Sequence, residues 1–314
     1  MSRLRRKQTI YLTLDSFMSP RGKTLHHFEQ FLSGVAEAEF PCVWLTGMTR
    51  AQLDEPRRRL GHSEPFIGES GCGVYLPEDY FHLKSRDTVR MGRFTVIPIA
   101  RPQPAAAEAL QELSGDTDTP VVSFRSLSLR ELSQNTGLPT SEAERIRMRD
   151  FDELFFFAGA DAEAIRKFQA EVKARGLTLQ NSGSFWSLSV GADLGKCIRE
   201  LGGLYDRALR THALRVGLTT VRSEGDAVAG IDPVLKTLAS TCDRVVLLCE
   251  RQPLEEIRPT EEVSFADEEE TGGDAATATT GPEYTSSRTS RRSVFHLHAP
   301  GVWDDVVESL VARS

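Results

Sequence analysis

Apolar residues fall along this chain in two alternating rhythms. Short unbroken runs read as buried strands, and longer stretches with an apolar residue every third or fourth position read as helices. Residues 9–14 (TIYLTL) make the first run and stop at Asp15-Ser16. Residues 24–39 carry Leu25, Phe28, Phe31, Leu32, Val35 and Ala36 at helical spacing. A second run at 40–45 (FPCVWL) ends at Thr46-Gly47, and 51–60 returns to the helical rhythm. This β-α-β-α succession predicts a parallel sheet covered by helices.

The rhythm then changes. Residues 65–75 read as strand-turn-strand, 121–124 and 153–158 as strands, 128–135, 141–150 and 161–175 as helices, and 177–190 as a hairpin. That is an α+β block set inside an α/β one. The first pattern resumes with a helix at 194–209, strands at 213–218 and 244–249, and a partly helical stretch at 227–240. A strand at 294–297 and a helix at 303–312 close it. The expected fold class is α/β, a doubly wound parallel sheet with an inserted α+β cap. Its segments are a basic arm at 1–8, a discontinuous core at 9–90, 191–254 and 293–314, and a cap at 91–190. Residues 255–292, rich in Glu, Asp, Thr, Ser and Gly, bury too little apolar surface to offset their ordering entropy, which predicts a disordered acidic insert.

Composition narrows the function. At 314 residues, with 39% hydrophobic and 26% charged positions, the chain has the make-up of a soluble globular protein. It holds no apolar run of about 18 residues, which argues against a membrane partner. Arg3, Arg5, Arg6 and Lys7 precede an apolar stretch that Thr13, Asp15 and Ser16 interrupt, unlike a signal peptide, so a cytoplasmic location is expected. A net charge of -7 argues against nucleic acid. Much of it is concentrated in 250–270, which leaves a body compatible with a phosphorylated small molecule. The 5 cysteines lack a CxxC pair and read as buried free thiols, and no HExxH occurs among the histidines.

Four stretches carry a resemblance: TGMTRAQ at 46–52, PFIGESGCGVYLP at 65–77, TGLPTSEAERIRMRDFDE at 136–153 and APGVW at 299–303. In this order they resemble the mannosyl-3-phosphoglycerate phosphatases of the haloacid dehalogenase superfamily. The resemblance implies a Rossmann-like core, a mobile cap between the second and third motifs, and Mg²⁺-dependent hydrolysis of mannosyl-3-phosphoglycerate to mannosylglycerate.

That chemistry asks for an aspartate nucleophile and a second aspartate two residues on. The matching stretch is TLDSF, with Thr13 at the nucleophile and Asp15 at the acid/base position. A shifted register puts Asp15 at the nucleophile and Phe17 at the acid/base, and neither supplies two carboxylates. Asp15 also reads as an ordinary strand-end residue. Thr46 fits the hydroxyl that donates to a phosphate, and also fits a simple turn. The family's lysine position holds Leu194, with Lys196 about 200° further round a helix. Its metal aspartates correspond to Thr220 and Glu224, so Glu224 and Asp15 are the weak candidates for a metal. An arginine expected in the substrate-reading segment is replaced by Ser184. Gly47, Glu69, Arg149, Ser184 and Lys196 stand as candidate substrate contacts, with Arg149 and Glu153 alternatively an i,i+4 helix pair.

These residues predict a catalytically impaired relative, kept as a sugar-phosphate-binding or regulatory protein. The alternative is an active phosphatase, and Mg²⁺ is expected only in that case. The acidic segment and the basic arm are candidate surfaces for a protein partner.

Overall fold

A computed structural model describes residues 8–18, 28–81, 87–222, 232–250, 291–297, 299 and 301–312. The basic arm through residue 7, most of the acidic stretch (251–290) and Glu224 lie outside the described residues.

In chain order the first elements are β1 (Gln8–Thr13), α1 (Phe28–Glu37), β2 (Cys42–Leu45), α2 (Arg50–Arg59), β3 (Phe66–Gly68), β4 (Gly73–Pro77), β5 (Val89–Met91) and β6 (Phe94–Pro98). The middle of the chain gives α3 (Gln103–Thr117), β7 (Val121–Ser123), α4 (Leu129–Thr136), α5 (Thr140–Arg147), β8 (Glu153–Phe157), α6 (Ala162–Ala174), β9 (Thr178–Asn181) and β10 (Trp186–Ser189). The last elements are α7 (Leu194–Leu209), β11 (Leu214–Val221), α8 (Pro233–Thr241), β12 (Arg244–Cys249), β13 (Arg291–His296) and α9 (Val302–Ala312).

Nine strands form one sheet in the order β13-β12-β11-β1-β2-β3-β4-β6-β5. The strands from β13 to β3 are mutually parallel, and β4, β6 and β5 extend that sheet antiparallel. β1 is buried throughout because both its faces are covered. Ile10 and Leu12 pack with Phe28, Phe31, Trp303 and Val306 of α1 and α9, while Tyr11 packs with Ile198, Leu201 and Leu238 of α7 and α8. An unbroken apolar run is what such a doubly covered parallel strand requires.

The α+β unit is a second, antiparallel sheet ordered β7-β8-β10-β9. One face packs on α3 and α6 through Leu110, Leu113, Phe168 and Val172, the other on α4 and α5 through Leu132, Ala143 and Ile146. The expected start of this unit at residue 91 is corrected, because β6 pairs with β4 in the large sheet. Its strands and helices fall between residues 103 and 189. The end of the acidic segment is also corrected, since Arg291 and Arg292 pair with β12. All five cysteines are buried, with no disulfide among them, and among the described residues no helix is long and apolar enough to cross a membrane.

A turn at 69–71 joins the two units to the start of α7. Glu69, Ser70 and Gly71 all have positive φ, at 48°, 56° and 97°. The Gly71 carbonyl accepts from the Asp193 N–H at 3.1 Å and the Cys197 thiol at 3.2 Å. A Cβ on Gly71 would lie 2.7 Å from the Leu194 backbone. Gly71→Ala should therefore add backbone strain to a clash, lowering stability by about 3 kcal/mol, read as a shift of the urea unfolding midpoint.

Candidate functional site

Thr13, Asp15, Thr46 and Gly47 meet at the carboxyl ends of β1 and β2, beside β11. In open α/β sheets ligands bind at such a crevice. Thr13 is buried at the end of β1. Its hydroxyl lies 2.8 Å from Thr219 Oγ1, 3.2 Å from Ser16 Oγ and 3.3 Å from the Leu218 carbonyl. Two hydroxyls and a carbonyl can orient this group, and none of them is a base at neutral pH. β11 was expected to stop at residue 218, yet it runs on to Val221, because Thr219, Thr220 and Val221 keep pairing with β12. Thr219 and Thr220 are therefore strand residues.

Asp15 sits in the 3-10 turn that follows β1. The Thr46 hydroxyl donates to its Oδ1, and the Gly47 N–H donates to Oδ2 at 2.6 Å. The Met48 N–H donates to Thr46 Oγ1 at 3.0 Å, which turns the hydroxyl proton towards Asp15. One edge of Asp15 is open to solvent, but the surrounding crevice wall desolvates its carboxyl and raises its pKa. The bonds from Gly47 and Thr46 and the charge of Arg149 oppose that rise. The two donors at the end of β2 are thus engaged by an anion that the chain itself supplies.

Behind this corner lies a buried ionic group. Glu69 accepts backbone N–H bonds from Asp150 at 2.9 Å, Phe151 at 2.8 Å and Asp152 at 3.2 Å. Arg149 grips Asp152 with two N–H groups, donates to the Gly47 carbonyl at 3.0 Å and lies 3.9 Å from Glu69. Burial raises the Glu69 carboxyl to about 8, with Arg149 opposing and Asp152 adding to the rise. Burial works against the Arg149 charge too, but Asp152 and Glu69 hold it protonated beyond an ordinary arginine.

The expected Arg149–Glu153 helix pair is corrected. α5 ends at Arg147, short of the expected 150, so residues 149–153 are not one helical face. Glu153 instead accepts from Gln103 and Ser123, with Arg125 at 3.7 Å. Asp150 is a partner the sequence did not single out. It receives Arg50 at 2.8 Å and the Tyr75 hydroxyl at 2.9 Å, binding α2 and β4 to the segment that leads into β8.

No family model matches the chain. It is 28% identical over 202 residues to a glucosyl-3-phosphoglycerate/mannosyl-3-phosphoglycerate phosphatase of Methanococcoides burtonii, covering 64% of this chain and 71% of that protein. It is 24% identical over 225 residues to a mannosyl-3-phosphoglycerate phosphatase of Pyrococcus furiosus, covering 67% and 83%. A haloalkanoate-superfamily phosphatase structure from Bacteroides thetaiotaomicron superposes with a TM-score of 0.50 at 17% identity, covering 79% of this chain and 86% of that one. The chain is similar to these mannosyl-3-phosphoglycerate phosphatases over about two thirds of its length and shares the fold of the haloalkanoate-superfamily phosphatase.

Haloacid dehalogenase phosphatases generally use Mg²⁺, which calls for near-octahedral oxygen donors. The residues described here do not fit that ion. Both Asp15 oxygens are engaged by Thr46 and Gly47, and Thr13 and Thr220 offer neutral hydroxyls. Among the described residues no group of three or more His, Cys, Asp or Glu could hold a metal. Of the other candidates, Ser184 is exposed on the β9–β10 turn and Lys196 on the first turn of α7. The Lys196 N–H caps onto Asp193 at 2.7 Å, and neither residue hydrogen-bonds to Asp15 or Thr46. The buried Glu69, expected as a substrate contact, is engaged by the backbone of residues 150–152.

The raised Glu69 pKa has a stability consequence. A carboxyl at about 4.5 in the unfolded chain and about 8 in the folded one contributes stability that is complete below 4.5 and lost as pH rises through about 8. Glu69→Gln replaces one acceptor oxygen with a donor and should cost about 2–4 kcal/mol. The stability gap between wild type and Glu69→Gln should be wider at pH 5 than at pH 9. Chemical unfolding at both pH values measures it.

Proposed function

We propose that this protein binds a small phosphorylated sugar or glycerate without hydrolysing it. The observation that carries this reading is the setting of the Thr13 hydroxyl, whose recorded partners are two further hydroxyls and a carbonyl. An alcohol becomes a nucleophile at neutral pH when a base takes its proton, and among the described residues the hydrogen-bond partners of Thr13 include no base. The donor set around Asp15 adds support, because among the described residues it lacks the further anionic oxygens that Mg²⁺ would call for. The names of the relatives supply the ligand class, a glycosylated phosphoglycerate.

Asp15 on this reading is a retained carboxyl without a nucleophile to serve. It neutralises the Thr46 and Gly47 donors and keeps the corner of the crevice ordered.

Purified protein with Mg²⁺ and mannosyl-3-phosphoglycerate or p-nitrophenyl phosphate should release phosphate at least about 10³-fold more slowly than a phosphatase with an intact catalytic set. Turnover at an ordinary phosphatase rate that disappears in Asp15→Asn would overturn the proposal.

A further inference from the structure

We infer that the arginine-lined cleft at the junction of core and cap is the anchoring site for a small polyhydroxylated oxyanion, such as a sugar acid or sugar phosphate. This rests on the reading above, that an anion is bound, and says where. The cleft has a volume of about 570 Å³ and takes four arginines into its lining, Arg50, Arg125, Arg147 and Arg149. They come from α2, the segment before α4, the end of α5 and the return to β8.

Three of the four guanidiniums are tethered so that other N–H groups stay available to a ligand. Arg147 Nη1 donates to the Leu127 carbonyl at 3.0 Å, and Arg125 Nη2 to the Arg149 carbonyl at 3.4 Å. Arg50 Nε is held by Asp150 at 2.8 Å. Arg149 is consumed by Asp152 and Gly47, so it orders the wall and does not offer a fork. Tethered arginines lose less freedom when they close on a carboxylate or phosphate, whose planar or tetrahedral oxygens suit the guanidinium fork.

Two further features select the ligand. Asp150 is already neutralised by Arg50, but Glu144, exposed on the rim, can accept from hydroxyl groups. Met148, 49% exposed, offers an apolar surface to the C–H face of a sugar or glycerate. The competing anion site fails on occupancy, because Asp15 already engages the Thr46 hydroxyl and the Gly47 N–H. Through the Arg149–Gly47 bond the cleft adjoins that corner.

Calorimetry of the full chain with 3-phosphoglycerate at low salt tests the inference. Arg147→Gln and Arg125→Gln should each raise Kd about tenfold or more, with melting curves showing that both variants are folded. Arg175→Gln, an exchange on the far side of the cap, should bind as wild type does. Parallel titrations with D-glycerate and with inorganic phosphate identify the anchoring group, and Arg147-dependent binding of either one supports the site. Wild-type-like binding by both Gln variants would overturn it. So would loss of binding in Thr46→Val but not in Arg147→Gln, or the absence of measurable binding by wild type at millimolar 3-phosphoglycerate. Phosphate release measured on the same samples keeps the two ideas apart. Turnover would sink the non-catalytic reading and leave the Arg147 dependence standing, and loss of that dependence would sink the cleft whatever the turnover.

Discussion

A single buried carboxylate organises this molecule. Glu69 leaves the large sheet on a left-handed backbone, and its oxygens collect three successive N–H groups from residues 150–152. Those N–H groups stand where the chain returns from α5 to β8, and they would otherwise be buried without partners, at a cost of about 1–3 kcal/mol each. The same turn is sewn to the end of β2, with Ser70 N–H on the Thr46 carbonyl at 2.9 Å and Glu69 N–H on the Met48 carbonyl at 3.3 Å. It also seats α7 through the Gly71 carbonyl. Three remote segments thus take their positions from the one turn at 69–71. Thr49 donating to the Arg145 carbonyl at 3.0 Å and Arg50 pairing with Asp150 tighten the same junction. A lid motion of the cap has to break several of these bonds together.

The ionic group has a specific electrostatic character. Two carboxyl groups, Glu69 and Asp152, share one guanidinium, and all three are nearly inaccessible to water. Burial alone would penalise each charge, so the group persists because its members satisfy one another and the backbone. Asp15 follows the same logic at a more open position. Its charge is met by a hydroxyl and an amide, and Arg149 contributes at longer range. The crevice is therefore polar and ordered, while the hydroxyls of Thr13 and Thr219 beside it bring dipoles and no charge.

Much of the fold was legible in the sequence, and the reasons are local. α7 matches its expected limits because Asp193 caps one end and Arg210 adopts a left-handed conformation at the other. The apolar runs of β1 and β12 could belong to little except doubly covered strands. β6 was assigned to the wrong unit because local pattern reveals a strand and not its sheet. Arg149 was paired with Glu153 because the end of α5 leaves no clear mark in RIRMRDFDE. Only the backbone turn at Met148 (φ -80°, ψ 53°) sends Arg149 towards Asp152. Thr13, Asp15 and Thr46 could be aligned to motifs, but that Thr46 donates to Asp15 is a fact of three dimensions. Arg147 and Asp150 sat inside the stretch 136–153 without a role of their own, and Arg125 lay outside every quoted stretch.

The neighbours of β1 arrive at very different times. β2 follows after one helix, but the Thr13–Thr219 contact with β11 spans 206 residues. At about 5–20 residues per second of synthesis, that partner emerges about 10–40 s later. The 2.6 Å bond from the Gln8 side chain to the Leu310 carbonyl, and the packing of Trp303 on Phe17 and Phe28, wait longer still. The cap, whose strands and helices are continuous between 103 and 189, can assemble meanwhile. A nascent chain thus carries a finished cap beside a half sheet with one hydrophobic edge uncovered, and it is this interval that most exposes the protein to misassociation.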